Sequence, residues 1–196
     1  MTATPSQRKG KRKMVHKIIY LVAVGLVLAA ITGMAEESGT KTSGAKMRVG
    51  TYDSRAIAVA FVGSEAFSKW MANLKTESDK AKAEGNQKLV AELKTEAQAQ
   101  QKLLHKQAFS TAPVDNILEH IKDKMSEIAK AAGVGPIVSK WDKDALAKYK
   151  SAELVDVTMA LVEALHPNER QLKIAKEIQK NSPIPIEEAE KIPADK

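Results

Sequence analysis

Cysteine is absent from the chain, and aromatic residues make up only 4% of it. The absence of cysteine excludes a disulfide framework, a cysteine nucleophile and a lipid-modified cysteine as a membrane anchor. Few aromatics, and a middle segment rich in Ala, Lys, Glu and Gln, favour long and partly exposed helices over a thick core. We therefore expect a fold that is held together by packing or by association between chains.

A basic stripe that could follow a nucleic-acid backbone is also missing, although the whole chain carries a net charge of +7. Six of the 31 basic residues, and none of the 24 acids, precede Glu36. The rest of the chain has 25 basic and 24 acidic side chains, which is a net charge of +1. Nucleic acid is therefore not expected as a partner.

Residues 18–35 form an apolar run without a single charge, directly after the basic opening segment. A basic flank stays on the cytoplasmic side while such a run enters the bilayer. We therefore expect the chain beyond Glu36 in the periplasm, or on the extracytoplasmic face of the inner membrane. The small residues Gly33 and Ala35 fit cleavage of 1–35 as a signal peptide, whereas the length of the run fits a retained N-terminal membrane anchor. The sequence is compatible with both.

The composition divides the remainder into a linker, one domain and a tail. Residues 36–46 are rich in Gly, Ser and Thr and predict a flexible linker, because they cannot bury enough apolar surface to become ordered. A single folded domain is predicted over 47–180. The proline-rich and acidic segment 181–196 predicts a disordered tail.

Within the domain, the apolar periodicity alternates between short strands and longer helices. An antiparallel helical hairpin is predicted over about 64–109, with its reversal at Gly85. Another amphipathic helix is predicted to end at Gly133. Short strands are predicted at 48–52, 136–141 and 153–158. The fold class is therefore α+β and mostly α, with a small three-stranded β body from which the hairpin protrudes.

Three segments, 47–53, 135–142 and especially 147–165 (AKYKSAELVDVTMALVEAL), resemble the Skp or OmpH-like periplasmic chaperones. The resemblance implies a homotrimer whose strands join in a small β body and whose hairpins surround a cavity. It also implies reception of unfolded outer-membrane proteins without ATP. The chain differs from that family in its short hairpin, in its additional helices and in the nearly neutral net charge of the residues that follow the predicted signal peptide or anchor.

The hairpin carries one apolar stripe that suits contact with varied apolar partners, formed by Phe67, Trp70, Met71 and Leu74. These residues are our candidates for client contact. The alternative interpretation is that the stripe packs the hairpin or a seam between subunits, because stripes of helical period usually face a core.

The sequence offers no catalytic or metal-binding set. Asp53-Ser54-Arg55 could present an acid and an anion-binding arginine, but Asp53 and Ser54 also fit helix capping, which we favour. Asp142 and Asp144 are interpreted in the same way. His105, His120 and His166 fall on different predicted elements without ligand spacing. We therefore expect no enzyme activity, no metal and no cofactor.

These observations lead to two hypotheses. The first is an extracytoplasmic, ATP-independent holdase chaperone that binds unfolded outer-membrane or envelope proteins as a homo-oligomer, with a trimer expected. The second is an envelope scaffold or spacer protein without chaperone activity, held in the inner membrane by an uncleaved run at 18–35.

Overall fold

The computed structural model of the chain describes residues 46–193. The predicted leader 1–35 and nearly all of the predicted linker lie outside the described residues. In chain order, the elements are β1 (Arg48–Tyr52), α1 (Ser54–Val62), α2 (Glu65–Ala83), α3 (Gln87–Phe109), α4 (Asp115–Leu118), a 3₁₀ turn (Glu119–Ile121), α5 (Lys122–Ala132), β2 (Ile137–Ser139), α6 (Lys143–Ala147), β3 (Glu153–Asp156), α7 (Thr158–Ala164), α8 (Glu169–Ile178) and α9 (Ile186–Ala189). The described part of the chain is mostly helical with a small sheet, in agreement with the predicted α+β class.

The strands of the described region form one sheet in the order β2-β1-β3, and both pairings are parallel. Gly50 lies opposite Ile137 on one side and opposite Val155 on the other. A Cβ atom at Gly50 would lie 2.9 Å from Cγ1 of Ile137, so a larger residue would not fit there. Because the strands are parallel, their carboxyl ends lie at one edge of the sheet.

Helix α1 lies in the centre of the hydrophobic core. Its residues are apolar on nearly all sides, and Ala56, Ile57 and Ala60 are fully buried. A helix with this composition is stable only when other elements surround it. Helices α3, α7 and α8 pack around α1.

Helices α2 and α3 form the predicted hairpin, and capping residues define where each helix begins. Oγ of Ser64 accepts a hydrogen bond from the backbone N–H of Phe67 at 3.2 Å, and Oδ1 of Asn86 accepts one from Leu89 at 3.1 Å. Gly85 makes the reversal with a φ of 67°. Between residues 72 and 100, the buried side chains are those of Ala81 and Leu93. The outer part of the hairpin is therefore covered mainly by its own two helices.

The strands at the end of the domain are shorter than predicted. β2 has three residues and β3 has four. Lys140 and Trp141 follow β2, and Val157 and Thr158 follow β3, so these residues lie outside the sheet at its carboxyl edge. The sheet described here pairs strands of one chain, and the joining of strands between subunits that the resemblance implied stays a prediction.

The described part of the predicted tail, 181–193, contains helix α9 and contacts the end of α3. The backbone N–H of Ile184 donates to the carbonyl of Phe109 at 3.0 Å. Nζ of Lys106 lies 3.2 Å from Oε1 of Glu190, and Ala189 is buried. The structure thus differs from the prediction of disorder in this segment, because a few apolar residues among the prolines and acids have a surface to pack on.

Within residues 46–193, no helix combines the length and the hydropathy that crossing a membrane requires. The predicted signal or anchor at 18–35 lies outside these residues.

Candidate functional site

The four predicted client-contact residues lie on α2, at different depths. The ring of Phe67 packs edge-on against Phe61 of the core at 5.6 Å between centroids, and the ring of Trp70 follows at 5.7 Å from Phe67. Leu74 is half-buried, and Met71 is 46% exposed. The stripe therefore begins in the core and ends at the surface, so packing accounts for Phe67 but not for Met71.

Two grooves run along the seam between α2 and α3, and Met71 and Ala97 belong to both. Their volumes are about 370 Å³ near the core and about 440 Å³ towards the tip. Because they share two residues, we treat them as one hairpin furrow. Its apolar walls are formed by Phe67, Trp70, Met71 and Leu74 on α2 and by Val90, Leu93, Ala97 and Leu104 on α3.

The outer half of the hairpin furrow has a basic rim. Lys75, Lys82 and Lys94 line it, and Nζ of Lys75 lies 2.6 Å from Oδ2 of Asp79. An apolar floor with ammonium groups at its border can take up apolar side chains and can also attract carboxylates or backbone carbonyls. The sequence predicted the hairpin but not this furrow, because helical periodicity does not show whether a further element covers the seam between the two helices.

A second constellation lies at the carboxyl edge of the sheet, where β1 ends. Asp53 caps α1, as the sequence predicted, since Oδ1 accepts the backbone N–H of Arg55 at 3.0 Å. The same carboxylate also holds the side chain of Arg55, through Nε at 3.0 Å and Nη2 at 2.7 Å. Both side chains are buried, with exposed fractions of 0% and 1%. The pair is therefore a buried, two-point ion pair.

Residues that follow β2 complete the environment of the Asp53 carboxylate. Nζ of Lys140 lies 2.8 Å from Oδ2, and Nε1 of Trp141 donates to Oδ1 at 3.3 Å. The Trp141 ring also faces both cations, with Cζ of Arg55 5.2 Å and Nζ of Lys140 4.7 Å from its centroid. One carboxylate thus connects the ends of β1 and β2 to the start of α1.

The third strand is connected to the same point through the backbone of Asp53. Its N–H donates to Oγ1 of Thr158 at 3.0 Å, and the N–H of Thr158 donates to Oδ1 of Asp156 at 2.8 Å. The start of α7 is therefore joined to the start of α1.

The charge state of Asp53 follows from these partners. Burial alone would raise its pKa, but the hydrogen bonds and charges of Arg55 and Lys140 outweigh burial and hold the pKa below its ordinary value of 3.8. Asp53 is thus ionised at neutral pH, and both of its oxygens are engaged. Such a carboxylate is a poor general base, which supports a structural role for Asp53 and Arg55.

The other acids and histidines singled out from the sequence form no hydrogen bond or ion pair with Asp53, Arg55, Lys140 or Trp141. Oδ1 of Asp142 caps α6 by accepting the N–H of Ala145 at 2.8 Å, as predicted. The ring of His105 lies 5.7 Å from that of Phe109 with a tilt of 49°, and the ring of His120 lies 5.0 Å from that of Phe61. Among residues 46–193, no group of three or more His, Cys, Asp or Glu side chains could hold a metal ion.

No protein-family model, curated protein or solved structure matches the chain. The resemblance to the Skp or OmpH-like chaperones therefore stays a prediction from three short segments.

Replacement of the buried acid tests its structural role. Asp53→Ala leaves the buried guanidinium of Arg55 without a counterion and should lower the free energy of unfolding by about 3–5 kcal/mol. Asp79→Ala removes an exposed carboxylate that also pairs with a lysine, and it should change stability little. Urea denaturation of both variants measures the difference, and similar small losses in the two would contradict the role of Asp53.

The lowered pKa of Asp53 predicts how stability depends on pH. The folded state favours the ionised form of Asp53. The contribution of this carboxylate to the free energy of unfolding is therefore complete above the pKa that Asp53 has in the unfolded chain, and it is lost as the pH falls through the lower pKa of the folded state. The stability difference between the wild type and Asp53→Asn should therefore narrow as the pH falls below about 3.8. Denaturation at a series of pH values measures this difference, and a constant gap into strong acid would show that Asp53 does not supply it.

Proposed function

We propose that the protein is an ATP-independent holdase, located outside the cytoplasm, that binds unfolded outer-membrane or envelope proteins in the hairpin furrow. The observation that carries this proposal is the continuous apolar furrow of Met71 and its neighbours, which is left uncovered in the single chain. Methionine and tryptophan side chains at such a surface adapt to apolar partners of different shapes.

The dimensions of the furrow support weak and repeated contacts. Each half has a volume of roughly 400 Å³, which suits a few side chains of a partner and not a folded domain. A single hairpin would bind an unfolded chain weakly. Several hairpins around the same client would raise the overall affinity through their effective concentration, without any new type of contact.

We propose that the protein forms a trimer, which would supply several hairpins. Apolar side chains are exposed at and beside the sheet edge: Leu154 on β3 is 55% exposed, and Met47 before β1 is 59% exposed. Edge strands with free backbone groups and exposed apolar residues are suited to contact with a further copy. The apolar run at 18–35 supports the proposed location, whether it is cleaved or kept as an anchor.

A charge placed in the furrow tests the function. The purified full-length protein should delay the aggregation of an unfolded outer-membrane protein in the absence of nucleotide. Met71→Glu replaces an apolar contact of about 1 kcal/mol by a carboxylate, so about fivefold more protein should be required for the same delay. Light scattering of the diluted, denatured client measures the delay.

Asn73→Glu is the matched control, because it places the same charge on the same helix at an exposed residue outside the furrow. This variant should protect the client as well as the wild type. Two results together would favour the scaffold instead. The protein would remain in membranes that are washed with carbonate, and the purified wild type would give the client no protection even at stoichiometric excess.

A further inference from the structure

A polar cleft lies at the carboxyl ends of β1 and β2, separate from the hairpin furrow. It has a volume of about 410 Å³, and its lining comes from β1, from β2 with the residues that follow it, and from the segment between α3 and α4. In parallel sheets, the crevice outside the carboxyl ends of the strands is where ligands usually bind. We call this the strand-end cleft.

Two carboxylates give the strand-end cleft its charge. Asp115 at the start of α4 and Asp142 before α6 both line it, and neither forms an ion pair with a residue in 46–193. Asp142 uses Oδ1 to cap α6, which leaves Oδ2 as an acceptor. Lys140 is the neighbouring cation, but its Nζ is held by Asp53 at 2.8 Å. Because Asp53 also pairs with Arg55, this ion cluster keeps one positive charge beside the cleft, but both of the charged side chains that line the cleft are negative.

The hydroxyl group of Tyr52 supplies an independent indication of a ligand. Tyr52 is only 7% exposed and lines the cleft, and its hydroxyl has no hydrogen bond to any residue of the described range. Burial, and then the charges of Asp115 and Asp142, raise its pKa to about 12. The two carboxylates that act on the Tyr52 hydroxyl are thus the same two that line the cleft with it. The Tyr52 residue as a whole is more than nine-tenths buried, while its hydroxyl oxygen is accessible from the cleft and can accept a hydrogen bond from a bound group.

The other lining residues indicate what the uncharged part of a ligand would contact. Pro113, Ile137 and Val138 contribute apolar surface, while Thr111 adds a hydroxyl that forms no hydrogen bond with a described residue. This arrangement suits a short alkyl chain that ends in a positive, hydrogen-bond-donating group. An anion would face two unpaired carboxylates, and a divalent cation would find too few oxygen ligands.

We propose that the strand-end cleft binds a primary ammonium group on a short alkyl chain, with Asp115, Asp142 and the Tyr52 hydroxyl as its acceptors. An ammonium group has three donors and matches this set of three acceptors. The same chemistry is presented by a free aliphatic amine and by the lysine side chain of a polypeptide.

Trp141 lines the cleft and provides the signal for a binding experiment. The chain has two tryptophans, so Trp70→Phe leaves Trp141 as the sole tryptophan, whose fluorescence can be excited selectively at wavelengths that tyrosine does not absorb. In this background, pentylamine should give a saturable change in fluorescence and a binding heat by calorimetry, whereas neutral pentanol should give neither. Cadaverine and Nα-acetyl-lysine methylamide then distinguish a free amine from a lysine side chain as the preferred source.

Three conservative variants locate the binding site. Asp115→Asn and Asp142→Asn should each weaken pentylamine binding about two- to fivefold, as expected for one partly exposed ion pair. Asn at position 142 keeps the helix cap, so this loss would not reflect unfolding of α6. Asp144→Asn removes an exposed acid from the same helix outside the cleft and should leave binding unchanged. Equal binding of pentylamine and pentanol, an equal loss in Asp144→Asn, or no binding heat and no fluorescence change would each overturn the proposal.

Discussion

The described fold depends on one buried carboxylate, that of Asp53. A guanidinium as deeply buried as that of Arg55 is destabilising unless an anion compensates for the lost hydration, and Asp53 is that anion. Its oxygens also hold Lys140 and Trp141 after β2, and its backbone N–H reaches Thr158 at the start of α7. The ends of two strands and the starts of two helices are therefore fixed relative to one another by neighbouring groups of a single residue.

This constraint positions both surfaces that we propose as functional. Helix α1 begins at the Asp53 cap, and only Gly63 and Ser64 separate it from α2. The direction in which the hairpin leaves the core is thus set by α1. Tyr52 directly precedes Asp53 in the sequence, and Trp141 directly follows Lys140. Both line the strand-end cleft, so part of this cleft is formed by sequence neighbours of the paired residues Asp53 and Lys140. The hairpin furrow and the strand-end cleft have no lining residue in common, and substitutions can therefore affect them separately.

Features encoded by neighbouring residues could be predicted from the sequence. Helical periodicity gave the hairpin, its reversal at Gly85 and the helix that ends at the left-handed Gly133, because each depends on contacts within one segment. Capping by Asp53 and Asp142 was also predictable. The parallel order of the strands was not, since strands of three to five residues carry almost no information about their partners. The strand-end cleft escaped prediction because Tyr52, Asp115 and Asp142 come from segments that are distant in the sequence.

The central functional claim is that the hairpin furrow holds an unfolded polypeptide, and site-specific photocrosslinking tests it most directly. A photoreactive residue replaces Met71 in one preparation and Asn73 in another, and each is illuminated with a denatured outer-membrane protein. The account predicts adducts with the client from position 71 and few from position 73, because only the former lies in the furrow. Adducts from position 71 that contain only further copies of this chain would instead make the furrow an interface between subunits, and they would contradict the account.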